Sequence, residues 1–440
     1  MRLKLKIMDK NTLKEIIVSN EEFITKNIKN IIKRERLYFP EKINKTVIFY
    51  GVRRSGKTFI LYDIFKKYNK KAGNCLYIDF EDERLGDFNS NDFEKIKEAF
   101  FELKPELAGK EICFLLDEIQ NIDGWEKFCR RATERGNIKL FVSGSSSKIM
   151  PLEINTELRG RSWSIEIFPL SFKEYLHIKK IDLKGRTLSL YGNKKYLVKK
   201  HFSDYLKWGG FPEIAYLESD FEKTKLLKVY MSAMFFRDIV ERYKISNISL
   251  LELLIDKLFS SFSTKFSITQ IYKQYKDKIP FSKDTLFKYY RYLLDSMLIF
   301  EIKLFSESSY KRHRNPSKIY VIDTGMCKRV TSSDSGRLLE NIVFIELKRR
   351  YSEIFYFEQE KECDFIIKTD NLDNKFLALQ VTLELNETNR ERETNGLIKA
   401  CKYLKLKEGL IITADEEKDI VVDNINIKII PAWKWLIANL

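Results

Sequence analysis

Two stretches of this chain hold residue types in an order that could act on a polyphosphate. The first is GVRRSGKT, residues 51–58. Gly51 and Gly56 let the backbone curl so that its N–H groups face one anion, with Val52, Arg53, Arg54 and Ser55 making the loop between them. Lys57 would reach the β- and γ-phosphates of a nucleotide, and the Thr58 hydroxyl would ligate magnesium. The second is ICFLLDE, residues 112–118, an apolar run ending in two acids. Asp117 would hold the magnesium, directly or through water, and Glu118 would orient and deprotonate the attacking water. The pair of motifs predicts a site that binds ATP with Mg2+ and hydrolyses it.

Such residues need elements to place them. VIFY (47–50) reads as a buried parallel strand entering the glycine loop, and FILYDIFKKY after it has helical periodicity. Strand, loop and helix in that order put a helix N-terminus and its dipole behind the phosphates. NCLYIDFED (74–82) and KLFVSGSSS (139–147) read as two more strands of the same sheet. Ligands of such sheets gather at the carboxyl ends of the strands, where these polar groups fall. Ser143 and Ser145 are candidates to sense the γ-phosphate, against the plain alternative of a Ser/Gly-rich turn. ELRGR (157–161) puts two arginines before another strand, SWSIEIF. Arg161, or else Arg159, could stabilise charge developing on the γ-phosphate, in cis or from a neighbouring subunit; a solvated loop arginine is the alternative.

GVRRSGKT, LLDEIQ, SGSSS, LRGR, FPLSFKEYL (168–176) and GGFPE (209–213), in this order, resemble a prokaryotic AAA-type ATPase family. That family is especially common in archaea and is usually fused to a C-terminal domain of uncharacterised function. The resemblance spans nearly the whole chain. It implies an α/β P-loop NTPase core of the AAA-like, additional-strand type, related to the signal-transducing STAND group, and it implies no particular substrate.

Helical patterns run from Phe172 to Tyr243 and predict a lid-like segment, with GGFPE as a turn between helices. Arg237 and Arg242 in FFRDIVERYKI could approach a nucleotide or line a solvated face. Beyond it, Leu251, Leu254, Ile255, Leu258 and Phe259 mark one helix face. Ser267 and Gln270 form a capping-box pattern opening a second helix. Ser282 starts a third, with Leu286, Tyr290, Leu293 and Leu294 inward. MLIFEIKLF and SKIYVID then read as strands around a basic loop, SESSYKRHRNPS. Three helices and a β-ribbon predict a winged helix-turn-helix. In a DNA-binding version Lys283, Lys288 and Arg291 would face the major groove, and Lys311, Arg312 and Arg314 on the wing would meet phosphates. A protein-contact module is the alternative.

From residue 318 the order helix, three strands, helix, strand resembles the restriction-endonuclease-like fold. That resemblance implies a helix Glu, a strand Asp and an E-x-K on the next strand, holding one or two magnesium ions. Glu340 and Asp364 match the first two positions. Where E-x-K belongs the chain has Gln380-Val381-Thr382. Gln380 could offer a carbonyl oxygen but no charge, Thr382 cannot replace an ammonium, and no spacing argument brings in Lys368. The expectation is a degenerate nuclease fold kept for binding or assembly, with a vestigial site of Glu340, Asp364 and Gln380.

The expected division is therefore 1–30 (N-terminal helical segment), 31–170 (ATPase core), 171–245 (lid-like segment), 246–316 (winged helix) and 317–440 (nuclease-like domain). Hydrophobic residues at 44% and charged residues at 32% support packed cores of this kind and argue against a disordered chain. The net charge of +16 favours a polyanionic partner, either nucleic acid or an anionic membrane surface, although the lysines are scattered. Six cysteines without a CxxC pair read as buried free thiols, and three distant histidines argue against a zinc site. The N-terminus lacks a signal-peptide core and no apolar run is long enough to span a bilayer, so a cytoplasmic protein without membrane association is expected. Three functions fit: an ATP-driven switch governing DNA or partner engagement, an ATP-gated metal-dependent nuclease, or a STAND-like signalling scaffold that oligomerises with ATP.

Overall fold

The computed structural model describes residues 8–29, 31–40, 42–145, 149, 156–181, 183, 192–327, 334–369 and 375–438. They divide into two compact units, 1–167 and 168–440.

The first unit is built on strands β1 (Thr46–Gly51), β2 (Cys75–Asp79), β3 (Ile112–Asp117), β4 (Ile138–Ser145) and β5 (Ser162–Glu166). Their order is β2-β3-β4-β1-β5, with every neighbouring pair parallel. β4 stands between the strand that enters the glycine loop and the strand that ends in Asp117, which is the additional-strand arrangement. Helices α1 (Lys10–Asn27), α2 (Lys57–Ala72), α3 (Phe93–Leu103) and α4 (Trp125–Arg135) cover the sheet. Alternation along the strands sorts their side chains into two cores. Ile48, Ile78, Phe114, Leu116 and Val142 pack with Leu13 and Ile16 of α1, Phe100 of α3 and Phe128 of α4. Val47, Phe49, Tyr77, Leu115 and Phe141 pack with Ile60, Leu61 and Phe65 of α2. Because both faces are covered, β3 is buried along its whole length, which is why it reads as an unbroken apolar run.

The second unit opens with α5 (Phe172–Ile178), α6 (Gly192–Trp208), α7 (Pro212–Tyr216) and α8 (Asp220–Ala233), the last continuing as a π-helical stretch over Met234–Glu241. Then come α9 (Ile248–Ser260), β6 (Thr264–Phe266), α10 (Ile268–Tyr275), α11 (Lys283–Asp295), β7 (Ile299–Leu304), α12 (Ser309–Arg314) and β8 (Ser317–Val321). The chain ends with α13 (Ser335–Arg350), β9 (Glu353–Glu358), β10 (Glu362–Lys368), β11 (Phe376–Val381), α14 (Arg390–Tyr403), β12 (Glu408–Thr413), β13 (Lys418–Val422), β14 (Ile425–Pro431) and α15 (Ala432–Ile437). All nine strands form one sheet, β13-β14-β12-β11-β10-β9-β7-β8-β6. β7 pairs antiparallel with β8 and parallel with β9, so the ribbon after α11 is continuous with the C-terminal sheet.

Side-chain caps set the helix starts that the sequence marks. Ser267 accepts from the Gln270 N–H and Ser282 from the Thr285 N–H at 3.0 Å. On α11 the buried residues are Leu286, Tyr289 and Leu293; Tyr290, expected inward, is only half-buried because its hydroxyl reaches out to Glu301 at 2.8 Å. The basic stretch expected as a bare loop contains α12, opened by Ser308 accepting from the Lys311 N–H. Between β12 and α15 lies a hairpin not foreseen above, whose Asp423 and Asn424 both have positive φ. The buried Asn341 amide on α13 accepts from Val321 N–H at 2.9 Å and donates to Val321 O at 3.0 Å, pairing β8 where short β6 has ended.

Candidate nucleotide-binding site

Gly56 has φ of 96° and caps α2 without any side chain, so the amides of the first helical turn keep their donors for an anion. Gly51 is needed for a different reason than backbone curl. Its φ is not positive, but a Cβ there would lie 2.2 Å from the Ile167 carbonyl oxygen at the end of β5. Arg54 takes the other left-handed position of the loop, φ 65°, and is exposed. Val52 and Ser55 are buried. Lys57 is buried too, with its ammonium donating to the carbonyls of Gly51 and Val52, each at 3.1 Å. The lysine thus lies folded over the loop whose amides would receive phosphate.

Asp117 ends β3 fully buried. Its Oδ2 accepts from Tyr77 at 2.8 Å, its Oδ1 from Ser143, and Thr58 also hydrogen-bonds it. Burial, with the charge of Glu118 added, holds its carboxyl above the ordinary range, and those three hydroxyl groups oppose the shift. Thr58 and Asp117 therefore meet, and two hard oxygen donors of this kind fit Mg2+. Glu118 is half-buried, left-handed at φ 47°, and receives a hydrogen bond from the Gln120 amide. Ser143 and Ser145 end β4 buried, with Ser145 opposite Gly51 in register.

Three participants were missed in the sequence. Asp79 ends β2 opposite Asp117, and its carboxyl is pushed up to about 7 by burial, with the charges of Asp117, Glu81 and Glu118 adding. The signal was there, since NCLYID ends an apolar run in Asp just as ICFLLD does. Tyr77, which supports Asp117, carries no local signal because its partner comes from the adjacent strand. Nor does Arg34, which donates to the Ser55 carbonyl at 2.8 Å from the segment before β1.

The arginine expectation is corrected for action in cis. β5 runs parallel to β1, and Arg161 precedes its first residue, so Arg161 sits at the amino edge of the sheet, with Thr46 N donating to its carbonyl. The loop lies at the carboxyl edge, roughly 16 Å away at about 3.3 Å per residue. Arg161 pairs instead with Glu134 at 3.0 Å, and Arg159 shares the same edge.

Residues 43–176 match the AAA domain family, 199–336 a domain of unknown function (DUF8612) and 335–435 another, DUF4143. The uncharacterized protein MJ1544 of Methanocaldococcus jannaschii is 38% identical, covering 99% of this chain and 97% of its own. The chain belongs to that family: an AAA-type P-loop ATPase domain joined to a C-terminal DUF4143 domain. An uncharacterized protein of Haemophilus influenzae is 29% identical over 87% of this chain and 92% of its own. Among solved structures, AMPPCP-bound DnaA from Aquifex aeolicus is similar at a TM-score of 0.24 and 16% identity, covering 66% of this chain and 93% of its own, too distant to carry any argument.

Within the DUF4143 domain Glu340 and Asp364 do come together, but around a residue the sequence reading did not name. The Lys318 ammonium, from β8, lies 2.8 Å from Glu340 Oε1 and 2.9 Å from Asp364 Oδ1. Gln380 is engaged at both ends of its amide: the side-chain carbonyl accepts from Asp364 N–H at 3.0 Å and the amide nitrogen donates to Glu393 at 2.6 Å. Thr382 donates to the Glu384 carbonyl, and Lys368 pairs with Glu353 at the far end of β10. Among the described residues no group of three or more His, Cys, Asp or Glu is placed to hold a metal.

In the segment matched by DUF8612, Lys283, Lys288 and Arg291 are exposed on α11, with Arg291 paired to Asp295 at 3.2 Å. Lys311 and Arg314 are exposed on α12, whereas Arg312 is half-buried and donates to the Ser306 carbonyl at 2.7 Å. All six cysteines are free and buried, and no described helix is long and apolar enough to cross a membrane.

Proposed function

We propose that the chain is an ATP-hydrolysing switch whose nucleotide state governs how its C-terminal part engages DNA. The observation that carries the ATPase half is the convergence of Thr58, Asp117 and Ser143 beside Glu118, at the strand ends next to a loop with Lys57 folded over it. In this reading the loop amides and Lys57 bind the phosphates, and Thr58 and Asp117 hold Mg2+, which supplies charge neutralisation on the phosphates. Glu118 takes the proton of the attacking water, with Ser143 and Ser145 beside the γ-phosphate. Arg161 then acts only from a neighbouring subunit, which makes self-assembly part of the proposal.

The DNA half rests on residues 246–316, read as a winged helix-turn-helix. α9, β6, α10, α11, β7 and β8 follow in that order, with β7-β8-β6 antiparallel. α11 is the reading helix, offering Lys283, Lys288 and Arg291 to DNA. Residues 317–440 are read as a restriction-endonuclease-like fold that binds without cutting.

The test is the steady-state ATPase rate of the full chain with and without duplex or single-stranded DNA. DNA should raise the rate, Lys57→Ala should abolish it, and Glu118→Gln should keep nucleotide binding while slowing hydrolysis at least about 100-fold. A rate indifferent to DNA would shift the C-terminal role to a protein partner. Absence of hydrolysis under every condition would sink the enzymatic half.

A further inference from the structure

Lys318 is an unusual residue to find in the middle of a sheet. It is on β8, flanked by β7 and β6, and its side chain is only 3% exposed. A buried ammonium is stable only where carboxylates and hydrogen bonds replace its water. Here three acids do so: Glu340 from α13 at 2.8 Å, Glu362 from β10 at 2.8 Å, and Asp364 two residues along the same strand at 2.9 Å. Burial alone would lower the lysine's pKa, but the charges of Asp364 and Glu340 outweigh it and hold Lys318 well above its ordinary value.

The same acids make further hydrogen bonds and ion pairs. Asp364 Oδ2 accepts from Val381 N–H at 2.9 Å, and Glu340 Oε1 from the buried Tyr320 hydroxyl at 2.7 Å. Glu362 Oε2 pairs with Lys265 at 2.7 Å. The Asp364 side chain is 8% exposed and that of Glu340 13%, while Glu362 at the rim of the cluster is 31% exposed.

We propose that Lys318 is the resident cation of this carboxylate cluster, holding Glu340, Glu362 and Asp364 in a metal-free state and closing the C-terminal domain to divalent-metal chemistry. A metal could enter only by expelling the ammonium from its three partners, and the lysine would then be a buried charge with nothing opposite. The same geometry makes the cluster a latent metal site, because removing the ammonium leaves three carboxylates converging on one emptied position, which suits a hard cation.

The experiment is Mn2+ binding to the nucleotide-free full chain, followed by electron paramagnetic resonance, with Asp364→Asn separating this cluster from the nucleotide site. Wild type should show no Mn2+ that Asp364→Asn removes. Lys318→Ala should gain a bound Mn2+, and Lys318→Ala with Asp364→Asn should lose it. Asp364-dependent Mn2+ in wild type, or no gain in Lys318→Ala, would overturn the proposal. If Lys318→Ala does not fold, a double-mutant cycle decides. Lys318→Met with Asp364→Leu removes one charge of each sign and should melt above Lys318→Met alone, whereas a double variant that melts no higher overturns the counter-ion role.

Discussion

The Tyr77 hydroxyl donates to Asp117 Oδ2 at 2.8 Å across the boundary between β2 and β3. Burial pushes the phenol's pKa well up, so the group remains a neutral donor at any working pH. Asp117 is itself held above the ordinary carboxylate range by burial, so each bond that favours its anion favours cation binding. A hydrogen bond to a charged group contributes about 1.5–3 kcal/mol. Tyr77→Phe should therefore raise the Mg2+ concentration for half-maximal ATPase by about tenfold or more, since about 1.4 kcal/mol is tenfold. The turnover number at saturating Mg2+ should change little. A Mg2+ titration checks this, and an unchanged midpoint would reduce Tyr77 to a core residue that merely satisfies its own hydroxyl.

Gly144 explains a second link. A Cβ there would lie 2.0 Å from Gln120 Oε1 and 2.1 Å from Ile149 Cδ1. Gln120 is the residue whose amide holds Glu118. Gly144→Ala should push the glutamine away and release the glutamate, lowering the turnover number at least about tenfold while nucleotide affinity stays within about twofold. Turnover measured beside fluorescent-nucleotide binding separates the two, and a loss confined to affinity would show that strand β4 acts on the phosphate loop instead.

The difference between Asp117 and Tyr77 also shows what the sequence could and could not tell. Asp117, Glu118, Lys57 and Thr58 lie in contiguous motifs that combine an apolar strand with polar residues at its carboxyl end, so local pattern suffices to find them. Strand β4, between β1 and β3, was legible in the same way, as an apolar run ending in Ser143. Tyr77 and Lys318 were not legible, because a Tyr or Lys within a strand says nothing of a partner on another element; only the fold supplies it. Arg161 reads correctly as preceding a strand, but only the parallel register of β5 with β1 shows that this strand start lies at the edge away from the loop. The β13–β14 hairpin has a readable signal, the β-branched run IVV and the alternating INIKII on either side of Asp423-Asn424.

Asp323 ties the GGFPE turn to the loop after β8. Its Oδ2 accepts from Gly210 N–H at 2.7 Å and its Oδ1 from Gly325 N–H at 2.9 Å. Burial nevertheless pushes its carboxyl up to about 7, the two amides and Arg349 only partly offsetting it. In an unfolded chain the same group would titrate near 3.9. The folded state thus keeps a proton that the unfolded state has released, so this group's contribution is present below about pH 4 and is lost as pH rises to about 7. Asp323→Asn should destabilise the second unit by about 1–3 kcal/mol, because one amide then faces a donor, and should flatten the decline of stability between those pH values. Chemical denaturation at pH 5 and pH 7.5 measures both effects; an unchanged slope would mean that another group sets the pH dependence.

The exposed cations of the second unit are not equivalent, and salt dependence should sort them. Lys283 and Lys288 are exposed on α11, and the Arg291 side chain, 67% exposed, is held only by a surface pair with Asp295 that is worth little. Each is available to a phosphate at small cost. Arg312 is different, because its guanidinium is committed to the Ser306 carbonyl inside its own turn. Counterion release makes the slope of log affinity against log salt fall by about 0.9 for each phosphate contact. Replacing Lys283, Lys288 and Arg291 together by Ala should lower the slope of duplex binding by about 2 to 3, whereas Arg312→Ala should leave it within about 0.5 of wild type. Affinities measured across a salt series give the slopes directly. Equal slopes for the triple variant and wild type would remove α11 from the DNA interface, however strongly the full chain binds.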